Sequence, residues 1–250
     1  MEQTIKNIIE YLNGAIPQSL SEPWDNDGLM VDSGEKVKKA VCALDATSNA
    51  LEYAKDAGAQ LVLTHHPLIF DRLSSVRSDD SAGKRVIYAI KNGISVMSFH
   101  TRLDALTGGV NDMLINALDL TPSGEFAGGL GRIAVLPYEM TASEFASYIK
   151  EKLHTNNVCA YPCKDRIKTV SLLGGSGKSF IKDAALSGAD AYLTGEVNHS
   201  GMIDARESSL SLFTATHYVT EAVVLPKLKE IFNAGFPDIP CDIFYEYENF

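Results

Sequence analysis

The chain has 250 residues, 45% hydrophobic and 22% charged, which is typical of a globular protein and excludes a disordered or fibrous one. A formal net charge of −10 without a local basic patch argues against a nucleic-acid partner. No stretch approaches the roughly 18 apolar residues of a membrane helix, and the first residues lack a secretory pattern. We therefore expect a cytoplasmic protein with no membrane partner.

The first half of the chain alternates strands and helices, as βαβ units with a largely parallel sheet do. Apolar residues at helical spacing predict an amphipathic helix near the N-terminus: Ile5, Ile8, Ile9 and Leu12. A strand is predicted over 39–44, followed by a helix with Thr47 or Ser48 as its N-cap and Gly58 at its end. A second strand covers 60–64.

The same pattern occurs again in the second half. Gly-Ala-x-x-x-Leu-Thr is found at 58–64 and at 188–194, each time with a strand, a turn and a helix before it. A histidine followed four residues later by an acid is found at 100–104 and at 217–221. βαβ units also resemble one another generically, because buried strands favour β-branched residues and turns favour glycine. Since the matches occur in the same order, the sequence predicts two similar α/β lobes.

The boundary between the lobes is predicted within 121–131, where Pro, Ser and Gly concentrate. The first lobe would then be 1–125 and the second 126–250. Further elements are expected in the second lobe: strands at 132–136, 158–161, 211–215 and 241–245, and a helix near 142–153.

The four cysteines form no CxxC pair: Cys42, Cys159, Cys163 and Cys241. Reduced thiols are therefore expected in preference to a disulfide or a zinc knuckle.

Polar residues gather where predicted strands end, which is where open α/β sheets place their functional groups. Five of the six histidines lie on or near such ends: His65, His66, His100, His199 and His217. The sixth, His154, is expected at the end of a helix, as a dipole partner or a surface residue.

The tandem pair His65-His66 comes directly before Pro67, which stops the strand and allows the backbone to turn both rings into one crevice. His217 and Glu221 share one helical face if a helix begins after the preceding strand. Each motif alone also fits an ordinary core or surface contact. Together with Asp104, these residues exceed a three-ligand zinc site and favour two ions.

Mixed imidazole and carboxylate donors favour Zn, Fe, Mn or Co over Ca and Mg. Two such ions would activate water and polarise an electrophile, which is the chemistry of hydrolysis.

Two other features have open interpretations. The glycine-rich run from Gly174 to Ser179 lacks Walker spacing, so it is read as a tight strand-to-helix turn or as an anion site. Glu196 and His199 could orient metal ligands, act as general acid or base, or be solvated loop residues.

The order of motifs along the chain resembles the Nif-three-like family of GTP cyclohydrolase 1 type 2 homologs. WDNDGLMV from Trp24, THHPLIF from Thr64 and HTRLDALTGGVND from His100 resemble three of its signatures. GLGRIAVL, GGSGKS, GADAYLTGE and HYVTEA follow in the family's order. The resemblance covers almost the whole chain, and the motifs together are highly specific.

The resemblance implies two similar α/β lobes with a dinuclear metal site in the cleft between them, and assembly into a ring-shaped homohexamer. It places the family's metal ligands on His65, His66, Asp104, His217 and Glu221. It places His100 as a histidine that lines the site.

Four positions depart from the family pattern. Asp27 stands where an apolar residue is usual, Arg102 where Asn is frequent, and Glu196 where Asp is common. Ser200 replaces a frequent second histidine. We expect these positions at the rim, where they would affect the substrate more than the metal.

The sequence therefore favours a metal-dependent hydrolase for a small nucleotide or heterocyclic phosphorylated substrate, with GTP ring opening as the activity that the family name suggests. His100 and Glu196 are the candidates for moving protons. The alternative is a metal-binding scaffold or regulator without catalysis, which handles iron or zinc or binds a protein partner.

Overall fold

The computed structural model describes residues 2–247, which divide into two compact units. The first unit contains the chain up to Leu106 together with Leu225–Glu246, and the second contains Thr107–Val224 together with Tyr247. Within the described range, no helix has the length and apolar character needed to cross a membrane.

The first unit is built on a five-stranded sheet in the order β1-β4-β3-β2-β11, with strands numbered along the chain. All neighbours are parallel except β1, which pairs antiparallel with β4 at one edge. The strands are β1 (Gly28–Val31), β2 (Ala40–Ala43), β3 (Leu61–Thr64), β4 (Ser95–Ser98) and β11 (Cys241–Ile243). The helices are α1 (Ile5–Ala15), α2 (Ser48–Asp56), α3 (Ser81–Lys91), α4 (His100–Ala105) and α10 (Leu225–Gly235).

Burial explains why these short segments form strands. Every residue of β2, β3 and β4 is buried, which is typical of parallel strands covered by helices. The predicted N-cap of α2 is confirmed, because the Thr47 side chain accepts a hydrogen bond from the Ala50 amide at 3.0 Å. The predicted N-terminal helix is also confirmed, and it buries Ile8 and Leu12.

The second unit is built on a six-stranded mixed sheet in the order β5-β6-β8-β9-β10-β7. The strands are β5 (Thr121–Phe126), β6 (Gly131–Met140), β7 (Cys159–Tyr161), β8 (Ile167–Ser176), β9 (Ala191–Glu196) and β10 (Ser211–Thr214). The helices are α5 (Val110–Ala117), α6 (Ala142–Lys152), α7 (Ile181–Leu186), α8 (His199–Glu207) and α9 (His217–Ala222).

The predicted internal repeat is present in the two sheets. In the first unit β2, β3 and β4 are adjacent, parallel and in chain order, and in the second β8, β9 and β10 have the same arrangement. Helices α2 and α7 connect the first two strands of each set. The mixed α/β fold with two related sheets is therefore as the sequence predicted.

The division of the chain differs from the predicted boundary between residues 125 and 126. Segment 121–131 was expected to separate the lobes, but most of it is β5, which pairs with β6 inside the second unit. Pro122 is tolerated there because β5 lies at the sheet edge. The last strand, β11, pairs with β2 and so returns the end of the chain to the first unit.

The cysteines are free thiols, as predicted. Cys159 and Cys163 are exposed, whereas Cys42 and Cys241 are buried with their sulfur atoms 3.5 Å apart. The hydrogen bond to Cys241, together with burial, raises the pKa of the Cys42 thiol and keeps it protonated.

Two of the departures from the family pattern form one buried ion pair. Arg102 Nε lies 3.0 Å from Asp27 Oδ2, and both side chains are almost fully buried. Arg102 also donates to Asn13 Oδ1 and to the Ile16 carbonyl. The expectation that these two positions form a rim is therefore wrong, because each charge allows the other to be buried.

We predict that Arg102→Ala lowers the free energy of unfolding by about 3–5 kcal/mol, because it leaves Asp27 as an uncompensated buried charge. The double variant Asp27→Leu/Arg102→Met should be more stable than Arg102→Ala, since neither charge remains. Urea unfolding of both variants measures this difference. A double variant that is less stable than the single one would contradict the pairing.

Asp190 in the second unit is held as a carboxylate by several donors. It accepts hydrogen bonds from the Lys168 and Thr169 amides, from Thr169 Oγ1 and from Lys164 Nζ. Partial burial opposes ionisation, but the Lys164 ammonium and the other donors outweigh it and lower the pKa of Asp190 from 3.8 to about 2.

A carboxylate whose pKa is lower in the folded state stabilises the fold above its unfolded pKa, and this contribution disappears as pH falls through the folded pKa. We predict that Asp190→Asn costs at most about 2 kcal/mol at neutral pH. The difference from wild type should shrink between about pH 4 and pH 2. Chemical denaturation across this range measures it, and a constant difference would contradict the assignment.

Candidate metal centre

The carboxyl ends of β2, β3 and β4 lie side by side, because these strands are parallel and adjacent. Asp45 follows β2, His65 and His66 follow β3, and His100 begins α4 after β4. The topology of the first unit therefore brings the three histidines to one edge of its sheet, where the sequence placed them.

The three imidazoles form a compact group. Their nearest ring nitrogens all lie within 4.8 Å of one another, and the ring centroids are 4.8 Å apart for His65 and His66, 5.4 Å for His65 and His100, and 5.7 Å for His66 and His100. His65 is fully buried, and the other two are partly exposed. Asp104, on the same helix as His100, places Oδ1 3.7 Å from His65 Nε2. This group could hold a metal ion.

The turn after β3 explains how adjacent histidines reach the same place. Thr64 Oγ1 donates a 2.7 Å hydrogen bond to the His66 carbonyl, and the His66 amide donates to the Leu44 carbonyl at 3.0 Å. These bonds replace the strand ladder that Pro67 cannot continue. The two side chains are thereby freed from the alternation of a regular strand.

Carboxylates hold the rings of His66 and His100. Asp45 Oδ1 lies 2.9 Å from His66 Nδ1, and Asp25 Oδ1 lies 2.8 Å from His100 Nδ1. Because an ionised carboxylate only accepts hydrogen bonds, each Nδ1 carries the proton and each Nε2 offers its lone pair. This arrangement is typical of histidines that bind metals.

Asp25 is itself fixed in place. Its side chain is fully buried, and it accepts hydrogen bonds from the Thr101 amide at 2.9 Å and from Thr101 Oγ1 at 2.6 Å. Burial opposes ionisation, but the bonds from His100 and Thr101 outweigh it and hold the pKa of Asp25 well below its ordinary value. Asp25 is therefore ionised at neutral pH.

The second unit carries a similar arrangement on α9. His217 and Glu221 lie on one face of this helix, with Nε2 3.1 Å from Glu221 Oε2. Glu196, at the end of β9, places Oε1 3.1 Å from His217 Nδ1. Glu221 is almost fully buried, whereas Glu196 is exposed. A carboxylate thus contacts each nitrogen of the ring.

The backbone before His217 is strained. Thr216 has φ 62° and ψ 149°, a region that β-branched residues rarely adopt. Its side chain accepts a hydrogen bond from the Val219 amide, and Thr220 Oγ1 donates to its carbonyl. These bonds hold the conformation that starts α9 at His217.

The glycine-rich run packs closely against Glu221 of α9. A side chain at Gly175, which has φ 67°, would overlap the Glu221 carboxylate, and one at Gly174 would lie 3.1 Å from Glu221 Cγ. The strand continues to Ser176, and a short 3-10 turn (Lys178–Phe180) then leads to α7. The run therefore forms the end of β8 and the short connection to α7, and its first two glycines give Glu221 its space.

The remaining predicted residues lie elsewhere in their units. His199, at the start of α8, lines a surface cavity of about 480 Å³ with Cys163 and Arg206. His154 is exposed just after α6.

The sequence analysis missed Asp25 and Asp45. Asp45 follows a predicted strand end, which was a usable signal, whereas Asp25 reaches His100 only through the fold.

Comparison with known proteins assigns the family. The profile of the Duf34/NIF3 (NGG1p interacting factor 3) family matches residues 3–248. The chain belongs to this family. The resemblance noted in the sequence is therefore confirmed.

Similar proteins are found in bacteria and archaea. The chain is 36% identical over 236 residues to a "GTP cyclohydrolase 1 type 2 homolog" of Clostridium perfringens, covering 90% of each protein. It is 32% identical over 244 residues to a protein of the same name from Clostridium acetobutylicum, covering 92% of this chain and 91% of the relative. The solved structure of reduced HcgD from Methanocaldococcus jannaschii is similar, with 30% identity, a TM-score of 0.83 and coverage of 97% and 98%.

We predict that Gly175→Ala disturbs Glu221 in this NIF3-family chain and lowers the amount of divalent metal that it binds. Gly188→Ala is the matched control, because Gly188 also has a positive φ of 79° but no atom within 4 Å of the added methyl group. In both variants the alanine must adopt a positive φ, which should lower the free energy of unfolding by about 1 kcal/mol. Metal titration by calorimetry separates them, and equal metal binding by the two variants would contradict the role of Gly175.

Proposed function

We propose that this NIF3-family protein is a metal-dependent hydrolase that holds two divalent ions with His65, His66, Asp104, His217 and Glu221. The substrate would be a small nucleotide or a heterocyclic phosphorylated compound. The observation that carries the proposal is the pairing of a carboxylate with the Nδ1 atom of His66, of His100 and of His217.

The chemistry of the donor set supports divalent ions. Imidazole nitrogens and carboxylate oxygens suit Zn, Fe, Mn or Co. The second unit offers only His217 and Glu221 from the proposed set, fewer than the three protein ligands of a typical catalytic zinc site. The proposal therefore assigns both units to the same pair of ions, as the family resemblance implies.

When bound, two such ions would supply Lewis acidity for hydrolysis. The protein's own residues would orient the metal-binding histidines and transfer protons. His66 and His217 are oriented by Asp45 and Glu196, so Glu196 acts as a positioning residue in addition to its proposed role in proton transfer. His100 is the stronger candidate for moving a proton, because Asp25 holds its ring beside His65 and His66 and it is not needed as a metal ligand.

The reaction class comes from the relatives. Proteins named as homologs of GTP cyclohydrolase 1 type 2 are similar to this chain over nearly its full length. We extend to this chain the expectation of a nucleotide substrate. We also propose the homohexamer that the family resemblance of its sequence implies. Light scattering on the purified protein measures the number of copies.

The metal content of variants tests the proposed ligands. Wild-type protein purified without added metal should contain two ions per chain by elemental analysis. His65→Ala and His217→Ala should each lose at least one ion, because each removes a ligand from the shared set. His154→Ala is the matched control and should keep the wild-type content, since His154 is exposed and distant in sequence from the ligands. Loss of metal from His65→Ala but not from His217→Ala would contradict the five-ligand site.

Turnover of a nucleotide panel then tests catalysis. We predict that His100→Gln keeps the metal but lowers the rate by about 10²–10⁴-fold, as loss of a general acid or base does. Turnover that survives removal of the ions by a chelator would contradict the hydrolase. Metal-loaded protein without turnover of any nucleotide would instead favour the non-catalytic scaffold.

A further inference from the structure

Two large aromatic side chains are exposed beside the histidine group of the first unit. Trp24 is 62% exposed and Phe70 is 54% exposed. Their ring centroids are 6.2 Å apart and their planes differ by 54°. Neighbouring exposed aromatic rings leave apolar surface in water, and burying this surface under a ligand would be favourable.

The loops that carry the two rings are held together. Asn26 Nδ2 donates a 2.5 Å hydrogen bond to the Ile69 carbonyl, which joins the residue two after Trp24 to the residue before Phe70. The neighbouring carboxylate of Asp25 is buried and bonded to Thr101 and His100. The loops that carry the aromatic pair are therefore joined before any ligand arrives, which lowers the entropic cost of binding.

Both rings contact the residue proposed to move protons. The His100 centroid is 6.0 Å from that of Trp24 and 5.8 Å from that of Phe70, with the planes at 78° and 79°. Each ring thus lies in an edge-to-face arrangement with the imidazole. A ligand resting on the pair would lie next to the histidine group.

We propose that Trp24 and Phe70 form a stacking platform for the planar ring of a heterocyclic substrate, and that they determine specificity for such rings. The inference rests on the proposed function, because it names the part of the substrate that the site recognises. A planar ring can stack on the indole of Trp24 while Phe70 contacts its edge. The 54° between the two aromatic planes excludes face-to-face contact with both at once.

Fluorescence gives a direct test, because Trp24 is the only tryptophan in the chain. Metal-loaded protein is titrated with guanosine 5′-monophosphate and, separately, with ribose 5-phosphate, which has the phosphate and sugar but no ring. Stacking on the indole should produce saturable quenching with the nucleotide and none with the sugar phosphate. Excitation at the red edge of tryptophan absorption avoids absorption by the base.

Variants at Phe70 separate stacking from general binding. Phe70→Ala should weaken the nucleotide dissociation constant by about tenfold or more, as loss of a base–aromatic contact does. Phe70→Tyr should restore affinity because it keeps the ring. Tyr138→Ala is the matched control, since Tyr138 is a 60% exposed aromatic of the second unit, and it should bind as wild type does.

Several results would overturn the inference. Equal quenching by ribose 5-phosphate would show that the ring is not recognised, and equal quenching by tetramethylammonium would indicate a cation site. An emission maximum typical of a buried indole, insensitive to the nucleotide, would mean that another copy covers the platform.

Elemental analysis of every sample distinguishes this inference from the proposed function. Metal-loaded protein without ring-dependent quenching contradicts the platform alone. Protein that binds no divalent ion contradicts the metal-dependent hydrolase, whether or not the nucleotide quenches Trp24.

Discussion

The hydrogen bond between a carboxylate and the Nδ1 atom of a histidine is the contact on which the candidate site depends. It occurs with His66, His100 and His217, in each case with a partner from a different element of the same unit. An imidazole alone can rotate and can carry its proton on either nitrogen. In His66 and His100 the carboxylate fixes both the ring and the proton, so that Nε2 is the atom left to meet a ligand. In His217 a carboxylate contacts each ring nitrogen, and Glu221 lies on the Nε2 side.

The backbone around α9 is arranged for the same purpose at a local cost. Thr216 adopts a dihedral region that a threonine avoids, and Gly175 is required where any side chain would collide with Glu221. Strain of this kind persists when the surrounding contacts hold a side chain in a position that function requires, and here the residues held are His217 and Glu221.

The sequence predicted most of the fold because its strongest signals are local. Buried strands such as β3, the Thr47 cap and the repeated Gly-Ala-x-x-x-Leu-Thr pattern each report on a few neighbouring residues. The division of the chain into two units could not be predicted from local patterns, because the pairing of β11 with β2 joins residues from opposite ends of the chain. Asp25 was missed for the same reason, since only the fold brings it to His100.

Asp27 and Arg102 show how a departure from a family pattern can be structural although it lies in functional motifs. Asp27 lies three residues after Trp24 and two residues after Asp25. Arg102 lies two residues before Asp104. Their side chains nevertheless contact each other and are shielded from water. A charge at either position alone would be costly to bury, so the two residues are compatible with the fold only together. The ion pair also joins the loop that carries Trp24 to the helix that carries His100, and so it stabilises the aromatic pair and the histidine group as one surface.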